Sequence, residues 1–383
     1  MKKLLFMAAF FAAVACGADP AAQEPEPATC PDTGTEIPAV ATPAFAKGAD
    51  IGWASEMEAG GRTFQKKDGT KAALLDVLKD CGINAIRLRV WVNPYKGYCG
   101  MADVLAAAWQ VSAAGLALMV DFHYSDFFAD PGRQKVPSAW EADKNDLTKM
   151  AAHVKEHTTE VLQALKDAGV TVNWVQIGNE TRNGMLWPAG QLWTDAGDIA
   201  DGRKHFAQLF NAGYDAAKAL YPDALVMPHL NNAYEDNGWW FSQMKAAGLK
   251  LEAIALSHYP QAESKYTAAQ YNQKAIDQIK SLYNTYKVPV IVSEVGVKTP
   301  AGESTAKGYL QSFMTELKKI SGCAGVFYWE PEVDGSWRPA IYTNLSELSK
   351  YSGKTQTSAW GAYDMGAFTT AGKPTSVMDV FAP

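Results

Sequence analysis

The stretch Trp174-Val175-Gln176-Ile177-Gly178-Asn179-Glu180 decides the fold. Apolar or β-prone residues run into Gly-Asn-Glu, and the polar Thr181-Arg182-Asn183-Gly184 follows. That is the pattern of a buried strand ending in a carboxylate. The pattern returns at Val288-Pro289-Val290-Ile291-Val292-Ser293-Glu294, followed by Val295-Gly296. Two buried strands that each deliver a glutamate at the C-terminal end match a parallel barrel, where functional groups collect at that end of the strands.

Reading outward, short β-like runs alternate with helical stretches from Gly48 onward. The expected strands are Gly48-Trp53, Ala85-Trp91, Leu116-Phe122, Asn173-Ile177, Ala224-Pro228, Ala253-Leu256, Val288-Glu294 and Gly325-Trp329. The expected helices are Lys71-Asp80, Asp103-Ala114, Leu147-Ala168, Lys204-Leu220, Ala268-Tyr286 and Ala306-Ile320. This alternation predicts an α/β fold, a (β/α)8 TIM barrel, over residues 45–383. The first strand runs into Trp53-Ala54-Ser55-Glu56-Met57, not into a Gly-rich phosphate turn, so a doubly wound sheet is set aside. No strand precedes a Gly-rich, Lys-containing loop, which disfavours phosphate and nucleotide chemistry.

Composition agrees with a large globular domain: 383 residues, 48% hydrophobic and 20% charged. A net charge of −6 offers no basic face for nucleic acid. The chain carries 12 Trp, 16 Tyr and 15 Phe, and rings beside polar strand ends can stack on ligands. Met1-Lys2-Lys3 and the apolar run Leu4 to Ala15 form a secretory signal too short to span a membrane. It ends in Ala13-Val14-Ala15-Cys16-Gly17, similar to a bacterial lipoprotein cleavage box with Ala13 in place of the usual Leu. The expectation is a signal over 1–16, lipidation at Cys16 and a flexible Ala/Pro/Glu/Thr-rich tether over 17–44. The protein would then be an exported monomer, anchored by lipid at the outer membrane on the cell surface. Cys30, Cys81, Cys99 and Cys323 have no zinc-site spacing. Cys81 and Cys99 flank a strand and could pair in an oxidising compartment, which sequence alone leaves open.

Each expected strand ends in a polar or aromatic residue. Trp53 ends the first, with Glu56 beyond it. Arg87 and Arg89 share a face of the second by the two-residue period, and buried cations need carboxylates nearby. Trp91 ends that strand. Asp121 and His123 share a face of the third, with Asp126 just after. The fourth brings Asn179 and Glu180. The fifth ends in His229-Leu230-Asn231-Asn232, and Asn231 is the candidate contact there. The sixth supplies His258 and Tyr259, the seventh Glu294, the eighth Trp329. Glu330 and Glu332 follow in a loop and are expected at the rim; Trp337 lies further along. So many polar groups in one mouth are costly unless they serve a site.

A carboxyl pair of this kind suits glycosidic bond cleavage. One carboxyl must be protonated near neutral pH, so burial or its anionic partner must raise its pKa. The other must stay ionised. Strands four and seven face each other across a barrel mouth, a span that suits a retaining pair about 5–5.5 Å apart.

These residues resemble those of the retaining barrel glycosidases. More narrowly, Gly48-Ala49-Asp50-Ile51-Gly52-Trp53, Arg87-Leu88-Arg89-Val90-Trp91-Val92-Asn93-Pro94, Asp121-Phe122-His123-Tyr124-Ser125-Asp126-Phe127, Asp130-Pro131-Gly132, Gln176-Ile177-Gly178-Asn179-Glu180 and Ser257-His258-Tyr259-Pro260 resemble glycoside hydrolase family 53. The resemblance covers residue 45 to the C-terminus. It implies an endo-β-1,4-galactanase acting on pectic galactan, with Glu180 as acid/base, Glu294 as nucleophile and Asn179 on the sugar 2-hydroxyl. Two departures stand out. His258 occupies a place where the family usually has Tyr. The loop after Glu294 lacks the Asp/His/Asn cluster that binds calcium in some bacterial members, so no metal and no cofactor are expected there. The competing readings are another barrel endo-glycanase, such as a β-mannanase or cellulase, and a non-catalytic surface glycan-binding protein. The last would be expected to lack one catalytic carboxylate, and both are present.

Overall fold

The computed structural model describes residues 37–260, 265–299, 302–358 and 363–382. Cys16, Cys30, the signal segment and most of the tether lie outside these residues. The core is a barrel of parallel strands: β1 (Ala46–Asp50), β2 (Ala85–Val90), β3 (Ala117–Phe122), β4 (Trp174–Ile177), β5, β6 (Ile254–His258), β7 (Val290–Val295) and β8 (Cys323–Trp329). Strand β5 comes in two pieces, Leu225–Met227 and His229–Leu230, parted at Pro228, which has no N–H for the ladder. The first piece pairs with β4 and the second with β6. β8 pairs with β1, which closes the ring on the other side.

Among the described residues seven helices form the outer layer: α1 (Leu74–Asp80), α2 (Met101–Ala113), α3 (Leu147–Asp167), α4 (Gly202–Leu220), α5 (Gly238–Ala246), α6 (Ala268–Tyr286) and α7 (Glu303–Leu317). Their starts are written locally. Asp146 caps α3 by accepting from Thr148 and Lys149 N–H, and Thr267 with Gln270 forms a capping box on α6. Helix α5 was not expected from sequence; its Trp239-Trp240-Phe241 run obscures a helical period. Among the described residues no eighth long helix follows β8. The chain makes an excursion through short helices Ala340–Thr343 and Leu345–Ser352, and the 3-10 turn Ser376–Phe381 then packs on α7.

Strand parity divides the interior. Ala46, Ala85, Ala117, Met119, Trp174, Met227, Ala255, Ile291 and Phe327 fill the lower barrel, while Ile86, Leu88, Val120, Val175, Leu256 and Val292 face the helices. Small alanines leave room for Trp174 and Phe327, whose rings meet edge to face at 5.8 Å. Gly48 is needed because a Cβ there would stand 2.1 Å from the Phe327 ring. Above this apolar plug, inward positions turn polar: Asp50, Arg87, Asp121, Gln176, His229 and Ser257, all at most 1% exposed.

One expectation needs correction, and the cysteine pairing that the sequence leaves open is answered. Residues at the end of the expected tether are held to the barrel: Asn173 Nδ2 donates to Val40 O at 3.0 Å and to Thr42 Oγ1 at 2.9 Å. Cys81, Cys99 and Cys323 are free and buried. The Cys99 thiol donates instead to Gly52 O at 3.0 Å. No described helix is long and apolar enough to cross a membrane.

Candidate active site

Glu180 and Glu294 meet at the C-terminal mouth. Each offers an oxygen that, with a ring nitrogen of His229, lies within 4.8 Å of the others. Glu180 reaches this place through a left-handed backbone, φ 47, just after Gly178 at φ 79. Such a conformation in a non-glycine residue is strained and is found where structure around it enforces it. Glu180 N–H donates to His229 Nδ1 at 3.3 Å and Thr181 N–H to His229 O at 2.8 Å. Glu294 depends on an irregularity. Val292 and Val295 both face the helices, and the register shifts between them. A bulge reverses strand parity, and it turns Glu294 inward where strict alternation would have turned Ser293.

The surroundings of the two carboxyls differ. Arg87 Nη2 lies 2.9 Å from Glu294 Oε1, and Tyr259 OH donates to Oε2 at 2.8 Å. Arg87 also donates to Asp50 at 2.6 Å, Asp121 at 2.8 Å and Asn179 Oδ1 at 3.0 Å. Burial raises Glu294, and Arg87 and the Tyr259 hydrogen bond oppose that. Glu180 is pushed up to about 8 by burial and then by the Glu294 charge. The two environments therefore hold one carboxyl protonated while its neighbour is stabilised as an anion.

The aromatic part of the mouth lies under the excursion after β8. A cavity of about 190 Å³ is lined by Trp53, Trp329, Glu330, Trp337, Tyr342 and Tyr363 among others. Trp329 stands edge-on to Tyr363 at 4.8 Å and to Tyr259 at 6.3 Å, which links the cavity to the carboxyl pair.

Other candidates sit elsewhere than the sequence suggested. Arg89 does not reach Glu294. Its Nη1 pairs with Glu330 at 2.8 Å, and its guanidinium lies 4.3, 5.1 and 4.8 Å from the Trp53, Trp91 and Phe128 rings. Glu330 and Glu332 are buried at 2% and 1% exposure and are not rim residues. Trp91, 3% exposed, packs on Phe127 and Phe128 and belongs to the core. His258 points outward, because the inward parity of β6 falls on Ser257. Its Nε2 meets Asn272 Oδ1 at 2.8 Å, and its ring packs on Phe313. His123 Nε2 donates to Asp121 at 3.0 Å and its Nδ1 accepts from Ala129 N–H at 3.0 Å. Asp126 accepts from Asn93 N and Ser138 N, which fastens loops. Asn231 accepts from Arg182 Nε at 2.8 Å.

Sequence reading passed over several contributors. Asp50, Gln176, His229 and Ser257 were all findable by parity, lying on the same face as residues already chosen. Arg182 was less visible. It ties the Glu180 loop to Asn231 and Asn237, with Nη2–Oδ1 at 2.6 Å to the latter.

The chain matches the profile of Glycosyl hydrolase family 53 over residues 46–381. It belongs to that family. An arabinogalactan endo-β-1,4-galactanase of Cellvibrio japonicus is 32% identical over 314 residues, covering 75% of this chain and 80% of that protein. An endo-β-1,4-galactanase of Bacillus subtilis is 30% identical, covering 83% of this chain and 76% of that protein. A structure of fungal β-1,4-galactanases superposes with a TM-score of 0.72 at 24% identity over 88% of this chain and 99% of that one, which supports the barrel fold. Glu180, His229 and Glu294 form a cluster whose three possible ligand atoms lie within 4.8 Å of one another, as in a cation site. Its donor set fits proton chemistry better: Arg87 already neutralises Glu294, and both His229 nitrogens face protein partners.

Proposed function

We propose that the protein is an endo-β-1,4-galactanase that cleaves galactan and type I arabinogalactan side chains of pectin by a retaining double displacement. The observation that carries this is the unlike pair, Glu180 and Glu294, with oxygens within 4.8 Å. That spacing is short of the roughly 6.5–9.5 Å an inverting water needs. Glu180 gives its proton to the leaving oxygen while Glu294 attacks the anomeric carbon. Glu180 then takes a proton from the water that hydrolyses the glycosyl ester. Asn179, buried beside Glu180, contacts the sugar 2-hydroxyl. Trp329 lies beneath the reacting sugar and Trp337 serves an outer position, since an indole packs against the apolar face of galactose.

The active form has Glu294 ionised and Glu180 protonated, so activity falls on both sides of a pH optimum. It falls as pH rises through about 8, where Glu180 loses its proton. The named activities of the relatives favour galactan over mannan or cellulose. Hydrolysis of linear β-1,4-galactan, tested beside mannan and carboxymethylcellulose, decides the substrate. Preferential attack on either of the latter two would overturn this assignment.

The N-terminal residues support export as a lipoprotein anchored through Cys16 at the outer membrane; that the protein acts as a monomer is part of the same proposal. The basic head, apolar run and Ala-Val-Ala-Cys sequence carry that reading. Cys16→Ala should move the protein out of the detergent-phase membrane fraction; retention there would contradict the anchor.

A further inference from the structure

Ser257 stands where the two glutamates and His229 converge. It is 1% exposed and pairs in register with Glu294 at a bulge between β6 and β7. Its Oγ lies 2.8 Å from His229 Nε2 and 3.3 Å from Glu294 Oε2, and the Glu180 carboxyl converges on the same place, within 4.8 Å of both of those groups. A hydroxyl has one hydrogen to give and two lone pairs, so it can donate to only one carboxylate at a time.

The direction is set by His229. Burial, with Arg87 nearby, keeps this ring neutral. Its Nδ1 faces two donors, Gln176 Nε2 at 3.0 Å and Glu180 N at 3.3 Å, against one competing acceptor, Asn179 Oδ1 at 2.9 Å. The Glu180 backbone N–H can only donate, so Nδ1 must accept, and the ring hydrogen of the neutral imidazole sits on Nε2. That hydrogen goes to Ser257 Oγ and leaves the serine hydrogen for a carboxylate.

We propose that the Ser257 hydroxyl is a positioning group that follows the negative charge between the glutamates, donating to Glu294 in the free enzyme and to Glu180 in the glycosyl-enzyme. The proposal rests on the roles assigned to the two glutamates above. In the first step a Glu294 oxygen bonds the anomeric carbon, the glycosidic C–O bond breaks, and the Glu180 proton passes to the leaving oxygen. The charge has then moved from Glu294 to Glu180. Rotation about Cβ–Oγ redirects the serine hydrogen while His229 holds the oxygen. In the second step water bonds the anomeric carbon, its proton goes to Glu180, and Glu294 leaves as a carboxylate. The charge returns, and so does the hydrogen. The other groups facing the pair are Arg87, Asp50, Asp121, Asp130, Tyr259 and His229. Arg87 stabilises charge on Glu294 through a direct contact, whereas Ser257 is placed to serve both glutamates in turn.

The test is the pH dependence of kcat/KM for Ser257→Ala and Ser257→Thr on galactan. A hydrogen bond to a charged group shifts a pKa by on the order of one unit. In Ser257→Ala the acidic limb should move up by about that amount, because ionised Glu294 loses a donor. The basic limb should move less, because in the free enzyme Glu180 ionises while the hydroxyl is committed to Glu294. Ser257→Thr, which keeps a hydroxyl, should return the acidic limb toward wild type. With an aryl galactoside bearing a good leaving group, Ser257→Ala should slow both formation and hydrolysis of the glycosyl-enzyme. An unmoved acidic limb in Ser257→Ala, an equal shift in Ser257→Thr, or slowing of the first step alone overturns the proposal. If Glu294→Ala keeps its activity, the roles of the glutamates fail instead, so the two failures are distinguishable.

Discussion

Arg87 and Arg89 stand two residues apart on one strand, both 1% exposed, yet their surroundings are opposite. Arg87 lies among carboxylates, with Asp50, Asp121 and Glu294 at 2.6 to 2.9 Å. Arg89 lies among aromatic rings, with Glu330 as its ion-pair partner at 2.8 Å. Asp50 joins them, one oxygen 2.6 Å from Arg87 and the other 3.5 Å from Arg89. The difference separates two halves of the mouth. The Arg87 half controls charge where bonds change. The Arg89 half builds the aromatic wall and holds its carboxyl away from the chemistry: Glu330 is paired with an arginine that does not touch the reacting pair.

The largest expected effect lies in the charged half. Glu294→Ala removes the nucleophile and should lower galactan hydrolysis by more than the about 10²–10⁴-fold that acid–base assistance supplies. Azide, if it rescues, should yield an inverted galactosyl azide. Near-normal turnover of this variant would remove Glu294 from the chemistry and erase the contrast between the halves.

Glu180→Gln comes next, with a loss of about 10²–10⁴-fold on galactan. The first step on an aryl galactoside with a good leaving group should lose less, since that oxygen needs no proton. The basic limb near pH 8 should disappear, because the group that titrates there is gone. Equal losses on both substrates would argue against an acid role.

Arg87→Met and Arg89→Met sharpen the comparison directly. Each strips a buried ion pair of its cation, which costs about 3–5 kcal/mol of stability. Both should therefore lower the melting temperature. Only Arg87→Met should also raise the Glu294 pKa and move the acidic limb to higher pH, because only Arg87 touches Glu294. Matching pH profiles for the two variants would dissolve the distinction.

The smallest effect belongs to the aromatic half. Trp329→Ala removes a stacking surface worth on the order of 1 kcal/mol beyond area burial. It should reduce kcat/KM on galactan by about tenfold or more, with circular dichroism unchanged; Trp337→Ala should lose less. Full activity in Trp329→Ala would assign that ring to packing alone.

Much of this was legible in the chain. The barrel followed from the alternation of buried strands and helices, and the two glutamates from their place at strand ends. Strand parity, applied further, would have found Asp50 and Ser257 and rejected His258, because inward residues recur every second position. It would have failed at Glu294, where a bulge reverses parity and pairing alone reveals it. It also could not separate Arg87 from Arg89. Both face inward, and only the three-dimensional packing of Trp53, Trp91 and Phe128 gives one arginine a different neighbourhood. Trp91, a fair candidate by position, is consumed in that packing. Glu330 and Glu332 look like rim residues because a loop after a strand end is usually exposed; both are buried, and Trp337, Tyr342 and Tyr363 from later in the chain line the same cavity as Glu330. Such burial by sequence-distant chain carries no local signature.

The measurement that bears most directly on the central claim is trapping of the covalent intermediate. Incubation with an activated 2-deoxy-2-fluoro β-galactoside should stall the second step, and peptide mass spectrometry should place one fluorogalactosyl group on Glu294. The same label should be absent from Glu294→Ala. A label on Glu180 or Glu330, or no covalent adduct together with α-configured products from galactan, would contradict the account.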